Sequence, residues 1–194
     1  MSPMALMLVA AMTAAGPAPK AAPLPPLNAR VEAFARSNLG KSVGDGICLT
    51  LASEALREAG ARRGSFADPR GDYTWGEPVA DFKDVLPGDI LQFRDAVFLG
   101  KRATGKRRWV SWHQEYPHHT AIVSKVEQGG KLVTVLHQNV AIQGRDESKK
   151  GSVQETELRM DSIQKGGWVR AYRPAPPDPS ERRRPFGEVD DPGR

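Results

Sequence analysis

From Cys48 onward the apolar positions Leu49, Ala52, Leu56 and Ala59 recur every three or four residues. Leu51 and Ala55 widen that stripe, and Gly60 ends it. The pattern predicts an amphipathic helix closed by a glycine C-cap. Upstream, Asn28 is placed to cap a shorter helix over residues 29–37, with Val31, Phe34 and Ala35 on one face. Beyond residue 84 the period changes. Runs at 90–93, 120–126, 131–137, 152–158 and 167–173 alternate or are rich in β-formers, and read as strands. Glu127-Gln-Gly-Gly130 between two of them predicts a hairpin turn. Residues 94–116 read as a long hairpin-like excursion with a basic tip near Gly105 and a returning strand over 108–112. Helices first and antiparallel strands after make the expected class α+β.

The two ends of the chain do not fit this pattern. Residues 1–16 form an apolar run too short to span a bilayer and closed by small residues, the form of a secretory signal peptide without its basic start. An Ala/Pro-rich linker follows over 17–27. The folded domain is expected over 28–174, and 175–194 is too rich in Pro, Asp and Arg to bury a core. The sequence therefore points to a secreted, periplasmic or envelope-associated protein with no membrane span in the mature chain.

The full chain has 194 residues and a formal net charge of +5. Its densest basic cluster, residues 101–108, lacks the interleaved aromatics of single-strand platforms, so no nucleic-acid partner is expected. It could touch an acidic partner or an anionic surface. Neither metal-ligand spacing nor a phosphate-binding glycine motif is present, so neither metal nor cofactor is expected.

Cys48 is the only cysteine, so it cannot form an internal disulfide and is either a buried filler or a reactive thiol. A thiol on the first turn of a helix sits at the positive end of the helix dipole, which favours the thiolate. A nucleophile needs a base and a group to orient that base. Of the four histidines, His118 and His119 immediately precede the 120–126 strand, and His137 ends the next, two residues before Asn139. Pairing about the 127–130 turn brings His119 near His137 and Asn139. A one-residue register slip decides whether they share a face. Tyr73 and Trp75 either pin their loop to the domain or wall a cleft. With His118 they are the candidate substrate contacts.

Six ordered motifs carry a resemblance: Val43-Gly-Asp-Gly-x-Cys48, Tyr73-x-Trp-Gly76, Gly88-Asp-Ile-Leu-Gln-Phe-Arg94, His118-His-Thr-Ala-Ile-Val123, Gln138-Asn-Val140 and Trp168-Val-x-Ala-Tyr-Arg-Pro174. Over roughly 29–174 the chain resembles the papain-like CHAP and NlpC-type domains. More closely, it resembles the cysteine-proteinase-fold domain of yeast actin-patch, myosin-tail-interacting proteins and its bacterial relatives. The resemblance implies a papain-like fold with the nucleophile at the start of a helix packed on an antiparallel sheet. It matches Cys48 to the nucleophile and His119 to the base, and leaves His137 or Asn139 to orient the ring. The implied activity is a thiol hydrolase that cleaves a peptide or peptidoglycan cross-bridge amide through an acyl-enzyme. A thiol-dependent acyl transferase uses the same intermediate. The alternative is a catalytically silent papain-fold interaction module.

Overall fold

The computed structural model describes residues 22–66, 72–141 and 147–179. The expected signal peptide, the first five residues of the expected linker and residues 180–194 lie outside them. Two helices lead, α1 at Pro26–Ser37 and α2 at Cys48–Ala59. Eight strands follow: β1 Ser65–Phe66, β2 Tyr73–Thr74, β3 Glu77–Val79, β4 Ile90–Gly105, β5 Arg108–Glu127, β6 Leu132–His137, β7 Gln154–Arg159 and β8 Trp168–Arg173. β1 and β2 form a small ribbon, and the other six form one antiparallel sheet in the order β3-β8-β4-β5-β6-β7. The expected α+β architecture, helices against an antiparallel sheet, is present.

α1 takes in the last two residues of the expected linker, with Pro26 in its first turn, where the missing N–H costs nothing. Asn28 does not cap it. Asn28 is buried within the first turn, and its Nδ2 donates to Asp89 Oδ1 at 2.7 Å and to the Pro87 carbonyl at 3.0 Å. Asp89 is buried too, and Arg173 of β8 grips it through Nε at 3.1 Å and Nη2 at 2.9 Å. This knot fixes α1, the start of β4 and the end of β8 to one carboxylate. Gly88, at φ +84°, passes so close to the Asn28 backbone that a side chain there would collide with it.

The sheet has a core on each face. α1 and α2 bury Val31, Ala35, Leu51, Ala55 and Leu56 against Ile90, Ile122, Leu136 and Tyr172. The opposite face gathers Leu91, Phe93, Phe98, Tyr116, Ala121, Val123, Val135 and Leu158. An isolated bridge between Phe98 and Ile163 folds the segment after β7 back onto β4, curling the sheet around this second core. The alternation along each strand is thus satisfied twice, once per face. The 94–116 excursion is no separate element. β4 and β5 run through it as one ribbon, paired from Ile90↔Ile122 to Gly105↔Arg108. At the other end of the chain, the expected tail begins too early: Pro174 and Ala175 are buried, and the Ala175 carbonyl accepts from the Arg62 N–H at 2.8 Å.

Candidate functional site

Cys48 is the first residue of α2, after Ile47 in extended conformation at the N-cap. Its loop is held from below by Gln138, whose Oε1 accepts from the Val43 N–H at 3.1 Å. Gln138 Nε2 donates to the Val43 and Ile47 carbonyls at 2.9 and 2.7 Å. The flanking glycines serve this turn rather than a ligand: Gly46, at φ +80°, packs against the Gly151 backbone and Ser42. Burial pushes the Cys48 thiol up from its ordinary pKa. Backbone hydrogen bonds from Thr120, Leu49 and Cys48 itself pull in the other direction, and the Asp45 carboxylate adds a smaller upward push. The sulfur therefore lies over β5 at Thr120.

That position decides which histidine it can use. Along β4, Ile90 and Gln92 face the helices, whereas Leu91 and Phe93 face the second core. The register pairs Arg94 with His118, Gln92 with Thr120 and Ile90 with Ile122. His118 therefore shares the helix-side face with Thr120 and Cys48. His119 is paired with Phe93 and points through the sheet to the other side. There it stacks on Tyr116 at 5.2 Å between centroids and meets His137, Nε2 to Nδ1, at 3.0 Å. His137 Nε2 in turn meets Thr156 Oγ1 at 2.8 Å. Desolvation, aided by the charge of His118, pushes the His119 pKa down to about 3. The structure brings His119 and His137 together, as the hairpin implied, and places both across the sheet from Cys48. The register that allows this comes from a β-bulge between Val123 and Lys125, which shifts the pairing by one residue along the hairpin.

The other predicted residues also have definite places. Asn139 is exposed, at φ +62°, beyond the end of β6. It lines an open cleft of about 570 Å³ together with His118, His119, Tyr116 and Thr156. Tyr73 is half-buried near the thiol, close enough that the Cys48 charge raises its pKa after burial does. Trp75 is not a cleft wall. It is fully buried, stacked on Tyr73 at 5.1 Å, and its Nε1 donates to Gln92 Oε1 at 3.0 Å. Thr120 Oγ1 donates to the same oxygen at 3.0 Å.

Two residues of this face were not singled out from the sequence. One is Gln138, described above. The other is Asp72, 1% exposed, whose Oδ1 takes a two-pronged contact from Arg94, with Nε at 2.9 Å and Nη2 at 2.5 Å. His118 Nε2 lies 3.6 Å from the same oxygen. Asp72 Oδ2 is buried with no hydrogen-bond partner. An acid in a Gly/Pro-rich loop carries no periodic signal that would mark it. No group of three or more His, Cys, Asp or Glu side chains among the described residues is placed to hold a metal ion.

Comparison with known proteins yields one match. The family model described as the AIM3/BBC1 cysteine proteinase-fold domain matches residues 27–181. No curated protein and no solved structure matches the chain.

Proposed function

We propose that this chain, which belongs to the AIM3/BBC1 cysteine proteinase-fold domain family, is a papain-type thiol hydrolase of amide bonds whose base is His118 and not His119. The observation that carries the reading is the orphan oxygen of Asp72, buried beside a half-exposed histidine on the Cys48 face. A buried carboxylate oxygen without a donor is costly. An N–H from His118, as the ring turns toward it, removes that cost and fixes the tautomer. With Nε2 on Asp72, Nδ1 is left for the thiol. His118 and Thr120 are two residues apart along the strand, about 7 Å, on the same face.

In the proposed cycle the Cys48 proton passes to His118 Nδ1 and the thiolate adds to the scissile carbonyl carbon. The Cys48 backbone N–H at the start of α2 stabilises the oxyanion. The imidazolium then gives its proton to the leaving amine, and water completes hydrolysis of the thioester through the same base. Asp72 stabilises the imidazolium by its charge, and Arg94 holds Asp72. Peptide or peptidoglycan amides outside the cytoplasm suit the signal-like start of the sequence.

One observation favours the silent interaction module instead: burial raises the thiol pKa. Alkylation of the full chain by iodoacetamide from pH 5 to 9 separates the two readings. A hydrolase site gives a rate plateau below pH 7, cut at least tenfold at pH 6.5 by His118→Ala, several-fold by Asp72→Asn, and changed less than twofold by His119→Ala. A wild-type profile that rises only with an ordinary or raised thiol pKa, indifferent to His118→Ala, overturns the proposal and leaves the module.

A further inference from the structure

The ribbon of β4 and β5 outruns the sheet. β8 pairs with β4 only as far as Arg94, and β6 pairs with β5 only from Ile122 onward. Its base is braced. Trp112 Nε1 donates to Ser162 Oγ at 3.0 Å, and the Arg159 guanidinium lies over the Trp112 ring at 4.9 Å. The Gln164 N–H donates to the Val97 carbonyl at 2.8 Å. From Leu99 to the turn at Gly105 the ribbon extends about 20 Å beyond that brace, at a strand rise of about 3.3 Å per residue.

The tip is unlike the rest of the surface. Lys101, Arg102, Lys106, Arg107 and Arg108 are exposed, and there is no carboxylate between Asp95 and Glu115. Those five cations equal the +5 net charge of the whole chain, so the other 23 cations balance its 23 carboxylates. Three of the five large apolar side chains that stand exposed among the described residues are here: Leu99, Trp109 at 65% and Val110. The register sets Lys101, Ala103 and Trp109 on one side of the ribbon and Arg102 and Val110 on the other. Lys101 Nζ sits 5.9 Å from the centre of the Trp109 ring.

We propose that this tip is an arm that docks the protein on an anionic lipid surface. Clustered cations draw it to the headgroups, and Trp109 and Val110 enter the interface, where an indole with a polar N–H is at home. The shape favours lipid over a polymer. Apolar and cationic groups lie on both sides of a narrow projecting ribbon, which suits immersion. A stacking platform needs aromatics in series on one side, and an acidic peptide needs a groove, which the tip does not provide. The proposal goes beyond the hydrolase reading and does not depend on it.

Co-sedimentation of the full chain with vesicles of 30% phosphatidylglycerol in phosphatidylcholine, against phosphatidylcholine alone, tests this at 50 and 500 mM salt. Binding is expected only to the anionic vesicles, and it should fall steeply at high salt. Arg107→Ser with Arg108→Ser should weaken it about 25-fold, at about fivefold per cation. Trp109→Ser should weaken it several-fold and abolish the quenching of indole fluorescence by brominated lipid. Because the tip packs on nothing, thermal melting of these variants should stay at the wild-type value. Equal binding to both vesicles, unchanged binding by the charge variant, or binding to polyglutamate or single-stranded DNA but not to vesicles overturns the proposal.

Discussion

The two faces of the sheet hold adjacent histidines from one strand and treat them in opposite ways. On the helix side His118 is half-exposed, beside a buried acid with a spare acceptor, and shares its face with the only thiol. On the far side His119 is buried against Phe93, Tyr116 and His137, and desolvation pushes its pKa down to about 3. One face keeps its ring in contact with water and beside a buried charge. The other uses the same ring as a polar, hydrogen-bonded piece of core. The two are neighbours on one strand, and alternation sends their rings to faces with opposite environments.

The contrast breaks most visibly in stability. His119→Ala removes a buried ring and deprives His137 of a partner at one nitrogen, and is expected to cost about 2–4 kcal/mol. His118→Ala should cost well under about 1 kcal/mol, because its ring is half solvated. Urea unfolding of both variants checks this, and equal losses would mean that the faces are not distinct. The second effect depends on pH. The unfolded chain protonates His119 near its ordinary pKa of about 6.5, whereas the folded chain resists until about pH 3. Below pH 6.5 the unfolded state therefore binds the extra proton, and stability falls as pH drops. The loss approaches about 1.4 kcal/mol per pH unit, or about 2 kcal/mol between pH 6.5 and 5. Unfolding midpoints at the two pH values should show it in the wild type and lose most of it in His119→Gln. The smallest effect is a control on the helix side. Arg36 pairs with Glu32 at 2.6 Å in the open, and Glu32→Gln should cost no more than about 0.5 kcal/mol, a loss that vanishes at high salt.

Periodicity made the helices legible to within a residue or two at α2, because one stripe of Leu and Ala and one terminal glycine specify it. The late strands were legible for the same reason. The site was legible in part. Cys48 at a helix start and the meeting of His119 with His137 both follow from local spacing and one hairpin. Which histidine faces the thiol does not follow, because it depends on the side of the sheet the helices cover. That side is set by Ile90, Gln92 and Trp75, far away in sequence. The bulge at residues 123–125 adds a register shift that no local pattern announces. Asp72 and Gln138 were missed because single polar residues in loops acquire meaning only from what folds over them. Trp75 read equally as wall or pin, and the acceptor on Gln92 that buries it lies 17 residues on.

The place of β8 in the sheet has a consequence for how the molecule is made. β8 is the last strand among the described residues, yet it lies between β3 and β4 and supplies the Arg173 that closes on Asp89. A ribosome that has released every residue up to 167 has therefore delivered both helices and most of the sheet, but not the strand at its inner seam. Until then β4 presents an open hydrogen-bonding edge beside Leu91 and Phe93, and the acid at the centre of the knot has no cation. The sheet is thus closed on this side by a strand made after its neighbours, so a chain cut short before β8 leaves the edge of β4 open and Asp89 without its cation.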